Sequence, residues 1–161
     1  LNYMARHDPL TGVFNRHALN EILEREIRRA RRYEHPIGVM MVDVNRFKEV
    51  NDRYGHDTGD EVLRRVAQAL CRSVRESDVV VRYGGDEFLI LLIETDGETD
   101  VVKERIQTEM SQRGQMSSLA DFPVTLSIGT AHWDPGTEES IERVLNRADR
   151  AMYEEKQRAS G

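Results

Sequence analysis

A central sheet with helices packed on it, an α/β fold of the α+β sandwich kind, is what this sequence predicts. Three observations point there. The stretch Ile37–Val44 (IGVMMVDV) is a nearly continuous apolar run, the pattern of a strand covered on both faces. Val79–Ile93 (VVVRYGGDEFLILLI) holds two apolar runs hinged on Gly84 and Gly85, the pattern of a β-hairpin whose glycines supply positive φ angles. Stretches with apolar residues at helical spacing separate these runs from each other and from Phe122–Trp133, a further strand with Val124, Leu126 and Ile128 on one face.

Taken in order, residues 1–7 offer a short apolar scatter (Leu1, Tyr3, Met4) that reads as the end of an incoming linker helix, and residues 8–161 read as one domain. Pro9 and Gly12 mark 8–16 as loop. From His17 to about Tyr33, Leu19, Ile22, Leu23, Ile27 and Ala30 recur at helical spacing, and Arg28, Arg29, Arg31 and Arg32 form a solvated face where cations suit the helix dipole. His35 and Pro36 end that helix. Asp43 closes the following strand, where it either caps the next helix or faces the crevice in which open sheets place ligand chemistry.

Residues 45–60 read as a short helical turn and a polar loop punctuated by Gly55 and Gly59, with His56 as an ordinary loop residue. Asp57, Thr58 or Asp60 is expected to cap a helix that runs to about Val74 on a stripe of Val62, Val66 and Leu70. After the hairpin come an acidic loop over 94–100, a helix from Val101 to about Met110, and a polar connector over 111–121. The last helix spans Glu138–Arg158 on Ile141, Val144, Leu145, Ala148 and Met152.

Composition narrows the function classes. The 161 residues suffice for one core, and a formal net charge of -6 leaves no basic stripe for unspecific nucleic-acid binding. An anionic substrate therefore needs a local site, with a metal to neutralise it. Cys71 is the only cysteine, which excludes an internal disulfide or a cysteine-built zinc site and suits a reducing, cytoplasmic setting. Phe88–Ile93 is the longest apolar run, too short to span a bilayer, so no membrane insertion by this segment is expected.

Asp86 and Glu87 follow the glycine turn directly, and on the hairpin alone they are ordinary turn residues. Together with Asp43 on a neighbouring strand, Asp86 would make an oxygen-rich site for Mg²⁺, which takes one or two carboxylates and substrate phosphates. The string RYGGDEF at Arg82–Phe88 then stands with DPLTGVFNR at 8–16, VDVNRFKEVNDRYGHDTGD at 42–60, SIG at 127–129 and ADRAMYEEK at 148–156. With these motifs in this order, the whole chain resembles the GGDEF domain, the catalytic module of bacterial diguanylate cyclases.

The resemblance implies a mostly antiparallel sheet similar to nucleotidyl cyclases and polymerase palms, with the signature on the hairpin. It implies condensation of two GTP into cyclic di-GMP with release of pyrophosphate, by attack of a ribose 3′-hydroxyl on an α-phosphorus. By the same resemblance Asp43, the Val44 carbonyl and Asp86 hold Mg²⁺, with Mn²⁺ as the alternative ion, and Glu87 assists. Asn51 and Asp60 match the guanine readers; an aspartate accepts from the guanine N1–H and N2–H₂ edge. The Phe47 and Lys48 amides and the Lys156 cation would meet the phosphates, and Gly84 and Gly85 would let the nucleotide approach closely.

Arg75-Glu76-Ser77-Asp78 matches the family's inhibitory RxxD motif for cyclic di-GMP, with Arg105 as a third ligand. At about 3.3 Å per strand residue it lies roughly 20 Å from the turn, and its bland counterpart is a surface ion pair. The resemblance further implies a homodimer for catalysis, because each copy brings one GTP half-site, and an N-terminal sensory domain upstream. Two departures lower the expected turnover: Ala159-Ser160-Gly161 replaces the usual Gly-Arg-Asn, leaving Arg158 to substitute for a phosphate-binding arginine, and Asn45 replaces a commoner aspartate. The alternative function is a non-catalytic module that binds GTP or cyclic di-GMP. An adenylyl-type cyclase is disfavoured by the guanine readers and the RxxD motif.

Overall fold

The computed structural model describes residues 2–93, 98–113, 119 and 121–160. Four strands, β1 (Ile37–Val44), β2 (Val79–Arg82), β3 (Glu87–Ile93) and β4 (Leu126–Trp133), form one sheet in the order β2-β3-β1-β4. Every pairing in it is antiparallel. The helices are α1 (Asn2–Arg6), α2 (Leu19–Tyr33, entered through a 3-10 turn at Arg16–Ala18), α3 (Phe47–Tyr54), α4 (His56–Ser73), α5 (Thr99–Arg113) and α6 (Ile141–Ser160).

β1 is buried along its whole length and lies between β3 and β4, which explains its unbroken apolar run. Its alternate side chains serve two cores. Met40, Val42 and Val44 join Val62, Val66 and Leu70 of α4 and Ile106 and Met110 of α5 on one face. Ile37, Val39 and Met41 join Ile22 of α2 and Val144, Ala148 and Met152 of α6 on the other. The expected one-faced set Val124, Leu126 and Ile128 is found together in the first core. Three layers result, helices on both faces of an antiparallel sheet, as the α+β reading requires.

One close approach sets the height of α6. A Cβ on Gly129 of β4 would come within 2.1 Å of both the Ala148 carbonyl oxygen and the Met152 amide nitrogen. Backbone cannot yield as a side-chain tip can, so only glycine lets α6 lie this near β4.

Several sequence expectations are corrected. Gly84 and Gly85 do not have positive φ; among the described glycines Gly12 (φ 80°) and Gly55 (φ 92°) do. The hairpin spans four residues, 83–86, and closes by the Tyr83 and Gly84 amides donating to the Glu87 carbonyl (2.8 and 3.2 Å), so it needs no left-handed glycine pair. None of Asp57, Thr58 or Asp60 caps α4. The helix starts at His56, earlier than expected, because the unusual backbone of Gly55 makes the break and no side chain caps it. β4 begins at Leu126 rather than Phe122, α5 runs from Thr99 to Arg113, and α6 begins at Ile141. Of the expected acidic loop, 94–97 lie outside the described residues, as do 114–118 and 120 of the expected connector.

Candidate active site

The site forms where β1 ends, the β2–β3 turn folds over and α6 passes. β1 delivers Asp43, directly opposite Glu87 in the β1–β3 register. The Val44 amide donates to the Asp86 carbonyl (3.1 Å), which ties the turn to the strand end and sets the Asp86 carboxylate beside that of Asp43. Asp43 is 5% exposed and its Oδ1 has no hydrogen-bond partner. Burial, with the Asp86 charge added, pushes its pKa up from 3.8 to about 6 against the pull of Lys156.

Lys156 reaches this point from α6 and donates to Asp43 Oδ2. Burial works against the ammonium, but Asp43, Asp86 and Glu87 around it outweigh that and raise its pKa. Burial also raises Glu87, helped by Asp149 and Asp86. A cleft of about 500 Å³ opens here, lined by Asp43, Glu87, Asn146, Asp149, Arg150, Met152, Tyr153 and Lys156. Crowded carboxylates with elevated pKa values are short of positive charge, and an unpaired buried oxygen beside a second carboxylate and strand-end carbonyls suits a hard divalent ion. Among the described residues no three His, Cys, Asp or Glu side chains are placed so that they could hold a metal ion together.

Four residues beyond Asp43 the chain enters α3. Arg46 takes a left-handed conformation (φ 57°), its guanidinium lies 4.3 Å from the Phe122 ring centre, and its carbonyl receives the Val50 amide. The amides of Phe47 and Lys48 therefore lie in the first turn, where a helix has no internal partner for its N–H groups. The Lys48 side chain itself is 92% exposed and pairs with Asp52 at 3.3 Å. Asn51 on α3 and Asp60 on α4 are both half-buried at the junction of the two helices. The Asn51 amide oxygen would sit 1.9 Å from a Cβ on Gly59, so this glycine is what lets the Asn51 side chain lie against α4. Gly85 faces open space, whereas a Cβ on Gly84 would meet the Glu87 carboxylate at 2.7 Å.

The RxxD residues stand apart, at the far end of the hairpin. Arg75, Asp78 and Arg105 line a separate cleft of about 280 Å³. Asp78 is largely engaged in the fold: it accepts from the Arg75 amide (2.8 Å) and the Ile93 amide (2.9 Å). Arg75 pairs with Asp78 at 3.4 Å and donates to the Ile93 carbonyl, and Arg105 donates to the Ser73 carbonyl (2.9 Å).

Both departures find a place. The Asn45 amide donates to Thr125 Oγ1 (3.0 Å) and its carbonyl accepts from Ser127 Oγ (2.7 Å), so it braces β4 and supplies no carboxylate to the site. Arg158 is exposed and lies two positions past Lys156, about 200° round the helix. It does not share the face that carries Lys156.

Sequence reasoning missed Asn146, Asp149, Arg150 and Tyr153 as cleft residues. Their separations from Lys156, sums of steps of three and four along α6, are the signal that could have found them.

Comparison with known proteins gives a consistent picture. The profile of the family described as "Diguanylate cyclase, GGDEF domain" matches residues 5–161. Diguanylate cyclase DosC of Escherichia coli (strain K12) is 43% identical over 153 residues, 94% of this chain and 33% of that protein. The chain thus spans about a third of the length of this relative. Cyclic di-GMP phosphodiesterase NbdA of Pseudomonas aeruginosa is 34% identical over 157 residues, 97% of this chain and 20% of that protein. Among solved structures, the GGDEF domain of DgcB from Caulobacter crescentus in complex with c-di-GMP superposes with a TM-score of 0.84 at 33% identity, covering 95% of this chain and 91% of that one.

Proposed function

The chain belongs to the GGDEF family, and from that premise we propose that it is a diguanylate cyclase catalytic domain that joins two GTP into cyclic di-GMP with release of pyrophosphate. One observation carries this reading: the buried, unpaired Asp43 Oδ1 beside Asp86, four residues from the open amides of α3. Asp43, the Val44 carbonyl and Asp86 would hold Mg²⁺ or Mn²⁺. When bound, such an ion stabilises the attacking and leaving oxygens of an in-line displacement at phosphorus.

The rest is the work of the chain. Phe47 and Lys48 amides receive phosphate oxygens, and the Lys156 ammonium, already in the cleft, neutralises the terminal phosphate. Glu87 stands at the same cleft and assists the reacting end. Asn51 and Asp60 receive the guanine edge, which makes GTP the substrate: adenine would leave the aspartate facing an acceptor. Two copies must meet, because each brings one GTP half-site. Arg75, Asp78 and Arg105 bind the product and restrain turnover. An upstream regulatory domain, reached through α1, governs the encounter, in a cytoplasmic setting.

A relative named as a phosphodiesterase has a segment alike over nearly this whole chain, so family membership and activity need separate tests. Pyrophosphate release from GTP with Mg²⁺ is the assay, with Asp86→Ala beside the parent. The parent releases pyrophosphate; Asp86→Ala, lacking a metal ligand, does not, while retaining measurable GTP binding. Full turnover in Asp86→Ala would refute the metal assignment. Binding of GTP without release by the parent would make the chain a sensing module.

A further inference from the structure

The turn between β2 and β3 is gripped from outside the hairpin. Arg82 donates through Nε and Nη2 to the Gly85 carbonyl (3.3 and 2.7 Å) and through Nη1 to both oxygens of Asp8 (3.1 and 3.2 Å). Arg16 donates to the Tyr83 carbonyl (3.2 Å) and its guanidinium lies over the Tyr83 ring, 3.9 Å from its centre. Both carbonyls flank Gly84, and no side chain packs where a Gly85 Cβ would be. Besides the Val44 amide on the Asp86 carbonyl, the two arginines are the contacts that tie the turn to the rest of the chain among the described residues.

Their anchors lie in the loop over 8–16. Asp8 is itself fixed by the Thr11 amide (2.9 Å) and Thr11 Oγ1 (2.7 Å). Phe14 adds to the edge of the sheet, its amide donating to the Val80 carbonyl and its carbonyl accepting from the Arg82 amide (3.2 and 2.8 Å). The loop in turn is bound to α1. Asn15 donates from its backbone to the Arg6 carbonyl (2.8 Å) and from its side chain to the Ala5 carbonyl (3.0 Å). Tyr3, His7 and Phe14 stack in sequence with ring centres 3.9 and 4.7 Å apart. An unbroken chain of contacts thus runs from α1 through the loop and two guanidinium groups to the turn that carries Asp86 and Glu87.

We propose that Arg82 and Arg16 are positioning residues that carry the placement of α1 and its loop to the Gly84–Gly85 turn, and so set the stance of Asp86 and Glu87. The kinetic half of this rests on the cyclase reading above; the mechanical half does not. A planar fork suits Arg82 for its double duty, since it can engage a carboxylate and a carbonyl at once, whereas a lysine ammonium is a point charge on a loose stem. A helix that shifts or rotates upstream would reach the site by this route without any change in the core.

The test uses the full chain with Asp8→Asn, which keeps an oxygen for Thr11 but removes the charge that Arg82 engages, and with Arg82→Lys. Two readouts are taken: kcat and KM for GTP, and hydrogen exchange of the Tyr83 and Gly84 amides. A misplaced reacting group costs rate on the order of tenfold to a hundredfold. The expected result is a loss of kcat of that size with KM changed less than about twofold, and faster exchange confined to the turn, in both variants. Parental kcat, or exchange at the turn equal to the parent's, overturns the proposal. So does a general loss of protection across β1 and β3, which would mark a merely structural role. Should Asp8→Asn fail to fold, Arg16→Gln is judged by the same readouts. Should the parent itself form no cyclic di-GMP, the cyclase reading falls, and turn exchange alone still decides the coupling.

Discussion

Replacing Asp43 by asparagine should make the metal-free protein more stable while abolishing its turnover. The Asp43 carboxyl is 5% exposed and titrates at about 6 against an ordinary 3.8, because burial and Asp86 disfavour its charge. The native state therefore holds this proton more tightly than the unfolded chain. Between about pH 4 and pH 6 the folded form binds more protons, so the group lowers stability as pH rises through that window, and above it the loss is complete. A displacement of about 2 units corresponds to roughly 3 kcal/mol at neutral pH. The pull of Lys156, a partner one-third exposed, is already contained in that displacement, so Asp43→Asn removes the whole of the loss. The gain is at most about 3 kcal/mol, or a midpoint up to about 6–12 °C higher for a domain of this size.

Thermal unfolding with chelator present, measured at about pH 4 and again near pH 7.5, checks it. The variant should gain at the higher pH and show little difference at the lower. Added Mg²⁺ should raise the parent's midpoint and leave that of the variant unmoved. A variant less stable than the parent near neutral pH would refute the argument that Asp43 is a buried charge awaiting a cation. Undiminished turnover would refute its place in the chemistry.

Other perturbations separate the remaining parts. Gly59→Ala places a methyl group where the Asn51 amide oxygen now lies, so the Asn51 side chain must move away from α4. KM for GTP should rise about tenfold, the worth of one hydrogen-bonding group at about 1 kcal/mol or more, with kcat at saturation nearly kept; an unchanged KM would remove Asn51 from guanine recognition. Arg75→Ala should relieve product inhibition in progress curves without lowering the initial rate. Inhibition unchanged by it would reduce the RxxD string to the ion pair and carbonyl contact seen here. Asp78→Ala is the poorer probe, since Asp78 receives two backbone amides that its loss would strand.

The elements legible in the sequence were those with a strong period or an unbroken apolar run. β1 was visible because both of its faces are covered, and α2, α4 and α6 because one stripe of each is apolar. Element ends were harder, as at α4, where the backbone of Gly55 rather than a polar side chain makes the break. The hairpin was readable as a hairpin, yet its turn chemistry was not: two adjacent glycines suggest left-handed backbone, while the four-residue turn has none, and only at Gly84 would a Cβ crowd a neighbour, the Glu87 carboxylate. In the sequence Asp43 reads equally as cap or ligand; only the fold shows Asp86 beside it and one of its oxygens unpaired. What no local pattern reveals is long-range pairing. Asp8 with Arg82, Arg16 with Tyr83 and Lys156 with Asp43 join positions far apart in sequence, and only the fold brings them together.

Product formation from GTP tests the proposed cyclase activity most directly. The purified chain, incubated with GTP and Mg²⁺ over a range of protein concentrations, is sampled by chromatography with mass detection. Cyclic di-GMP and pyrophosphate should accumulate, at a rate per molecule that climbs with protein concentration because two half-sites must meet. Absence of cyclic di-GMP at the highest concentration, or cyclic GMP in its place, would contradict the account.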